Sequence, residues 1–221
     1  MKPKAIFFDI DNTLYDTAKF AERARRNAIN AMREAGLKAS EEEAYKALLK
    51  VIAKRTSNYD KHFDEMVRNL GQKPDPHIIA AGIGAYHNTK SSILPFPEVK
   101  SAILELRDSG YKLYVASEGD SLKQWDKLIR LGLDHLFHDV FVTEDVGRKK
   151  SKDFYAAITR KLKLDPKKCI MVGDSEEKDS TPAGEAGMRT VLVTHDGKGR
   201  GNADFVIRDL SELKKTLVKL E

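Results

Sequence analysis

The chain has 221 residues, 41% of them hydrophobic, which is enough to bury a core of ordinary size and too apolar for a disordered chain. Charged residues make up 33% and the formal net charge is +5, yet Lys and Arg alternate with Glu and Asp along the helical stretches, with no long basic block and no nucleic-acid reader motif. No apolar run is long enough to cross a bilayer, and Met1-Lys2-Pro3-Lys4 leads into an apolar segment too short for a signal-peptide core, so a cytoplasmic location is expected, with neither a nucleic-acid nor a membrane partner.

Lys4-Ala5-Ile6-Phe7-Phe8 reads as a short strand buried on both faces, ending in the polar cluster Asp9-Ile10-Asp11-Asn12-Thr13. Residues 17–35 turn helical: Phe20, Ala24, Ala28, Ala31 and Ala35 recur at three-to-four spacing, and Gly36 stops the pattern. Ser40 with Glu43 has capping-box spacing and starts a second helix. Helical segments follow at residues 60–70 and 76–89, the latter opened by Asp75-Pro76. No strand is predicted between residues 16 and 94, so this stretch is expected to be an all-helical insertion.

Leu94-Pro95-Phe96-Pro97 brings the chain back. Strands are then predicted at residues 112–116, 140–142, 169–172, 190–193 and 205–207, alternating with helices at 98–109, 122–131, 151–162, 178–186 and 211–220. Such alternation implies right-handed crossovers and an α/β fold, a Rossmann-like doubly wound parallel sheet with helices on both faces. The expected division is residues 1–15 with 95–221 as the core and residues 16–94 as the helical insertion.

In open parallel sheets ligands bind at the carboxyl ends of the strands. The first strand ends at Asp9 and Asp11, the second at Ser117; Lys149 and Lys150 precede a helix after the third; the fourth ends at Asp174, followed by Ser175 and Asp179. Several carboxylates in one dry crevice resist joint ionisation, and a hard divalent cation relieves this. Mg²⁺ takes one or two carboxylates plus a substrate phosphate. Cys and His are missing from these strand ends, which argues against zinc. The six histidines show no ligand spacing, and the lone Cys169 lies in an apolar run where it reads as a small buried hydrophobe. Trp125 reads as packing, and Tyr59, His62, Tyr86, His87 and Lys90 are candidates to line a substrate pocket, though most are expected to pack or face solvent.

These residues carry a resemblance. Asp9-Ile10-Asp11-Asn12-Thr13-Leu14 after an apolar strand, Ser117 after its strand, Lys150 in Val146-Gly147-Arg148-Lys149-Lys150-Ser151, and Gly173-Asp174-Ser175-Glu176-Glu177-Lys178-Asp179 resemble, in order, the four motifs of the haloacid dehalogenase superfamily. The resemblance covers the whole chain. It implies that Asp9 is the nucleophile that forms an aspartyl phosphate. Asp11 would protonate the leaving alkoxide and then take a proton from water, its backbone carbonyl also meeting Mg²⁺. Ser117 would hydrogen-bond the phosphoryl oxygens, Lys150 would neutralise charge there and orient Asp9, Glu118 would contact the substrate, and Asp9, Asp11 and Asp174 would hold the metal. Asp179 would support the metal's water shell or Lys150, although a cap for its own helix is an equal reading. The family often has a proline after the third-motif lysine; here Ser151 stands there, as an N-cap, and Lys149 remains an alternative to Lys150.

The second acid, Asp11, favours phosphate esters over halides, and the helical insertion resembles the family's helical cap, which closes over the crevice. Ala24-Arg25-Arg26-Asn27-Ala28-Ile29, the stretch 59–63 and Lys123-Gln124-Trp125 are similar to a subgroup of glyceraldehyde-3-phosphate phosphatases. The expected activity is Mg²⁺-dependent hydrolysis of a small phosphorylated metabolite by a monomer or homodimer. Alternatives are phosphoryl transfer to another acceptor, as in mutases, and a non-catalytic phosphate-binding domain, against which the retained Asp11 argues.

Overall fold

The computed structural model describes residues 3–55, 59–195 and 201–219. The chain divides into two compact units, Met1–Asp16 with Leu94–Glu221, and Thr17–Ile93.

The first unit is built on a six-stranded, all-parallel sheet in the order β3-β2-β1-β4-β5-β6. Its strands are β1 (Ala5–Phe8), β2 (Lys112–Ser117), β3 (Asp139–Val142), β4 (Cys169–Gly173), β5 (Arg189–Val193) and β6 (Phe205–Ile207). Chain order reverses at β1, which pairs with β2 on one side and β4 on the other. That reversal opens the crevice in which doubly wound sheets bind ligands. All four residues of β1 are buried, which is why it reads as a continuous apolar run rather than an alternating one. Ala5, Phe7, Tyr114, Ala116, Phe141, Cys169 and Met171 share one buried cluster with Phe154, Tyr155 and Ile158 of the helix Lys152–Lys161. Ile6, Phe8, Leu113, Val115, Ile170 and Val172 alternate with them and are fully buried on the other face.

The second unit holds four helices, α1 (Thr17–Glu34), α2 (Glu41–Lys54), α3 (His62–Asn69) and α4 (Pro76–Lys90). Ser40 and Glu43 form the reciprocal capping box of α2. Asp75 caps α4 and accepts from the His77 amide at 2.8 Å, with Pro76 in its first turn. Ile29, Met32, Leu48, Val51, Met66 and Val67 form its core. A methyl group on Gly82 would stand 2.6 Å from Met32 Cγ, so the glycine lets α4 approach α1. Where the chain leaves and re-enters the first unit, the Phe96 amide donates to the Leu14 carbonyl at 2.9 Å.

In the first unit follow α5 (Val99–Asp108), α6 (Ser121–Leu131), a short α7 (Thr143–Val146), α8 (Lys152–Lys161), α9 (Thr181–Glu185) and α10 (Leu213–Val218). Two stretches depart from expectation. The helix expected at 178–186 is a widened π turn, Glu176–Ser180, followed by the short α9. Pro182 has no amide to give to the Lys178 carbonyl, which instead accepts the Tyr155 hydroxyl at 3.0 Å, and Ser180 N–H reaches back five residues to Ser175 at 3.2 Å. The closing helix begins as a 3₁₀ turn, Leu210–Glu212, and its expected last residue, Leu220, lies outside the described residues, as do Met1 and Lys2.

Candidate active site

At the carboxyl end of β1 the chain must turn at once into a loop. Asn12 takes a positive φ of 55°, a conformation its short polar side chain tolerates, and His195 Nε2 meets its carbonyl at 2.6 Å. This leaves Asp9 almost fully buried at the strand end, its amide tied to the Val172 carbonyl at 2.9 Å, and Asp11 on the loop beyond. The end of β2 brings in Ser117, whose Oγ donates to Asp9 Oδ1 at 3.4 Å. The N-terminus of α8 brings in Lys150, whose Nζ lies 2.6 Å from Asp9 Oδ1 and 2.5 Å from Asp179 Oδ1. Ser151 caps that helix as expected, accepting from the Phe154 amide at 3.4 Å. Lys149, the alternative, is exposed.

A crevice of about 300 Å³ is lined by Asp9, Asp11, Ser117, Glu118, Lys150, Asp174 and Asp179, together with Asn12, Ser175 and Lys178. The fold thus gathers into one place residues that lie far apart in the chain. Glu118 sits at its rim, where its carboxylate makes a short contact with Lys178 Nζ. Its carbonyl accepts from the buried Gln124 amide at 2.7 Å, and Gly119 at φ 126° completes that turn.

Asp179 has both carboxylate oxygens tied to protein donors. Oδ1 accepts from Lys150, and Oδ2 accepts from the Ser175 amide at 3.1 Å. The close approach that Gly173 permits is to this side chain: a Cβ there would stand 2.2 Å from Asp179 Oδ2.

Burial dominates the electrostatics. It pushes Asp9 up to about 6, against the Lys150 charge that pulls it down and with the Asp179 charge that adds to it. Asp174 is raised by burial and then by the charge of Asp9, and Asp179 by burial. Burial works against the Lys150 ammonium, but the charges and hydrogen bonds of Asp9 and Asp179 outweigh it and hold its pKa above the ordinary lysine value. Burial also pushes the Cys169 thiol up to about 12, as suits a core residue.

Among the described residues, Asp9, Asp174 and Asp179 each offer a carboxylate oxygen within 4.8 Å of one another and could together hold a metal ion. Asp179 has both oxygens engaged by protein donors, so Asp9 and Asp174 are the members of this cluster with an oxygen that could turn to a cation. An all-oxygen donor set in which both acids are raised by burial fits a hard divalent ion, which favours their charged forms. The Asp11 side chain is outside this carboxylate cluster and is held by other donors: Lys127 Nζ donates to its Oδ1 at 2.7 Å and to its Oδ2 at 2.6 Å, and the Tyr15 hydroxyl donates to Oδ1 at 2.9 Å. Sequence reasoning missed Lys127, one lysine among many on an amphipathic helix. Its neighbour Trp125, read as packing, is 39% exposed.

The helical unit has a cavity of its own, about 410 Å³, lined by Tyr59, His62, Tyr86 and His87 with Arg25 and Phe63 among others; Lys90 is not in its lining.

The family model of the haloacid dehalogenase-like hydrolases matches residues 3–187. A protein of Methanopyrus kandleri named glyceraldehyde 3-phosphate phosphatase is 44% identical over 194 residues, 86% of this chain and 83% of that one. A protein of Methanothermobacter thermautotrophicus with the same name is 41% identical over 97% of this chain and 99% of its own. Among solved structures, an HAD phosphatase from Thermococcus onnurineus superposes with a TM-score of 0.71 at 27% identity, covering 97% of each chain. With its model matched across β1 to β4 and every residue that lines the crevice, the haloacid dehalogenase-like hydrolase family is the one to which this chain belongs.

Proposed function

We propose that this protein is a Mg²⁺-dependent phosphatase that hydrolyses a small phosphorylated metabolite through an aspartyl phosphate on Asp9. That it is a phosphoric monoester hydrolase is supported by the family match and by the names of relatives at about 40% identity over most of the chain. The observation that carries the mechanism is the placement of Asp9: a buried carboxylate at a strand end, with Oδ1 held by Lys150 at 2.6 Å and Ser117 at 3.4 Å.

Asp9 attacks phosphorus while the ester oxygen leaves with a proton from Asp11. Water then attacks phosphorus of the aspartyl phosphate, gives its proton to Asp11, and releases inorganic phosphate with Asp9 regenerated. Ser117 and Lys150 donate to the phosphoryl oxygens as negative charge gathers there. Asp9 and Asp174, with the Asp11 carbonyl, would hold the metal, which supplies further neutralisation of that charge. Asp179 keeps Lys150 aimed. Residues 1–15 with 95–221 serve as the catalytic core, and residues 16–94 serve as its cap.

Glyceraldehyde 3-phosphate, which the relatives' names print, is the first substrate to try. The test is phosphate release from a panel of phosphorylated metabolites with and without Mg²⁺. The expected outcome is metal-dependent release from small sugar or triose phosphates that Asp9→Asn abolishes. Equal release by Asp9→Asn would overturn the reading.

A further inference from the structure

Lys127 stands on α6, the helix after the strand that ends at Ser117. Its Nζ contacts both oxygens of Asp11, 116 residues away in sequence, at 2.7 and 2.6 Å. Tyr15, buried, holds Oδ1 of the same carboxylate at 2.9 Å. The Asp11 side chain is 34% exposed and that of Lys127 18%. A carboxylate that exposed, on a loop, has several staggered rotamers open to it. A charged donor spanning both oxygens, with a second donor on one of them, selects one.

Asp11 lines the crevice and Lys127 does not. The lysine therefore reaches the chemistry through Asp11 alone. We propose that Lys127 is a positioning residue that fixes the Asp11 carboxyl at the mouth of the crevice, in the orientation from which it meets the leaving oxygen. This rests on the phosphatase reading and deepens it. Proton delivery matters in proportion to the basicity of the leaving group: a nitrophenolate departs without help, an aliphatic alkoxide does not. The clamp therefore marks the enzyme as one built for aliphatic phosphate esters.

The experiment measures kcat/KM, which reports events up to departure of the leaving group, for p-nitrophenyl phosphate, phenyl phosphate and glycerol phosphate. It compares wild type, Lys127→Met, Lys127→Arg and Asp11→Asn, with circular dichroism to check folding. Lys127→Met is expected to lose about threefold on the nitrophenyl ester and about 100-fold on the glycerol ester, parallel to Asp11→Asn. Lys127→Arg should recover part of the loss on the glycerol ester. If Lys127→Met does not fold, Lys127→Gln takes its place with the same expectation. Equal losses across the three esters, or no loss, overturn the assignment of Lys127. A wild type that hydrolyses none of them with Mg²⁺ overturns the phosphatase reading and this inference together, whereas an active wild type with a flat variant profile overturns the inference alone.

Discussion

Lys150 and Asp179 form an ion pair at 2.5 Å in which neither side chain is more than 2% exposed, and the same ammonium reaches Asp9 at 2.6 Å. One buried cation thus serves two buried acids. Removing one partner of such a cluster leaves charge without compensation, which is where buried ion pairs are most sensitive. Lys150→Met should destabilise the metal-free protein by roughly 3–5 kcal/mol in urea denaturation, and lower turnover by at least about 100-fold. Adding Asp179→Asn should restore part of the stability and none of the activity.

Asp9 sets a pH dependence whose sign follows from its direction of shift. Raised from its ordinary 3.8 to about 6, it keeps a proton in the folded state that the unfolded chain has released. Its contribution is therefore fully present below about pH 4 and is lost as the pH rises through about 6. The difference in unfolding free energy between wild type and Asp9→Asn, both metal-free, should shift by up to about 3 kcal/mol against the wild type across that window. A difference that stays flat between pH 4 and 7 would show that Asp9 is not held in its raised state.

Mg²⁺ should act most strongly where the acids are charged. At pH 7.5 it should raise the melting temperature of the wild type, because it binds the folded state only. Asp174→Asn should lose most of that shift, while Asp179→Asn should keep much of it, since Asp179 faces Lys150 and the Ser175 amide. Equal loss in both variants would make Asp179 a metal ligand.

Gly173→Ala isolates a steric demand. Its Cβ would fall 2.2 Å from Asp179 Oδ2, so the carboxylate must move away from Lys150 or the strand end must shift. A destabilisation of about 1–3 kcal/mol is expected, along with a fall in kcat. Wild-type activity in this variant would show that the precise placement of Asp179 is dispensable.

Most of this site is legible in the sequence because strand ends are. Asp9, Ser117 and Asp174 each follow an apolar run too short and too flanked by turn residues to be anything but a strand, and a parallel sheet then places them together. Ser151 as a cap and Ser40 with Glu43 are local and were equally readable. What escaped depends on contacts distant in sequence. Lys127 looks like any solvated lysine until α6 is laid beside the Asp11 loop. The π turn at Glu176–Ser180 hides because the Tyr155 hydroxyl that serves the Lys178 carbonyl comes from another helix. From sequence Asp179 reads equally as a helix cap or as a support, and only the folded geometry joins it to Lys150.

The covalent role of Asp9 can be read directly. During turnover of a substrate with Mg²⁺, rapid quenching followed by borohydride reduction converts an aspartyl phosphate to homoserine, which mass spectrometry of the peptide around residue 9 detects. Homoserine at position 9, dependent on substrate and metal and missing from every other acid, is the predicted result. Full turnover with Asp9 unmodified, or homoserine at a different aspartate, would contradict it.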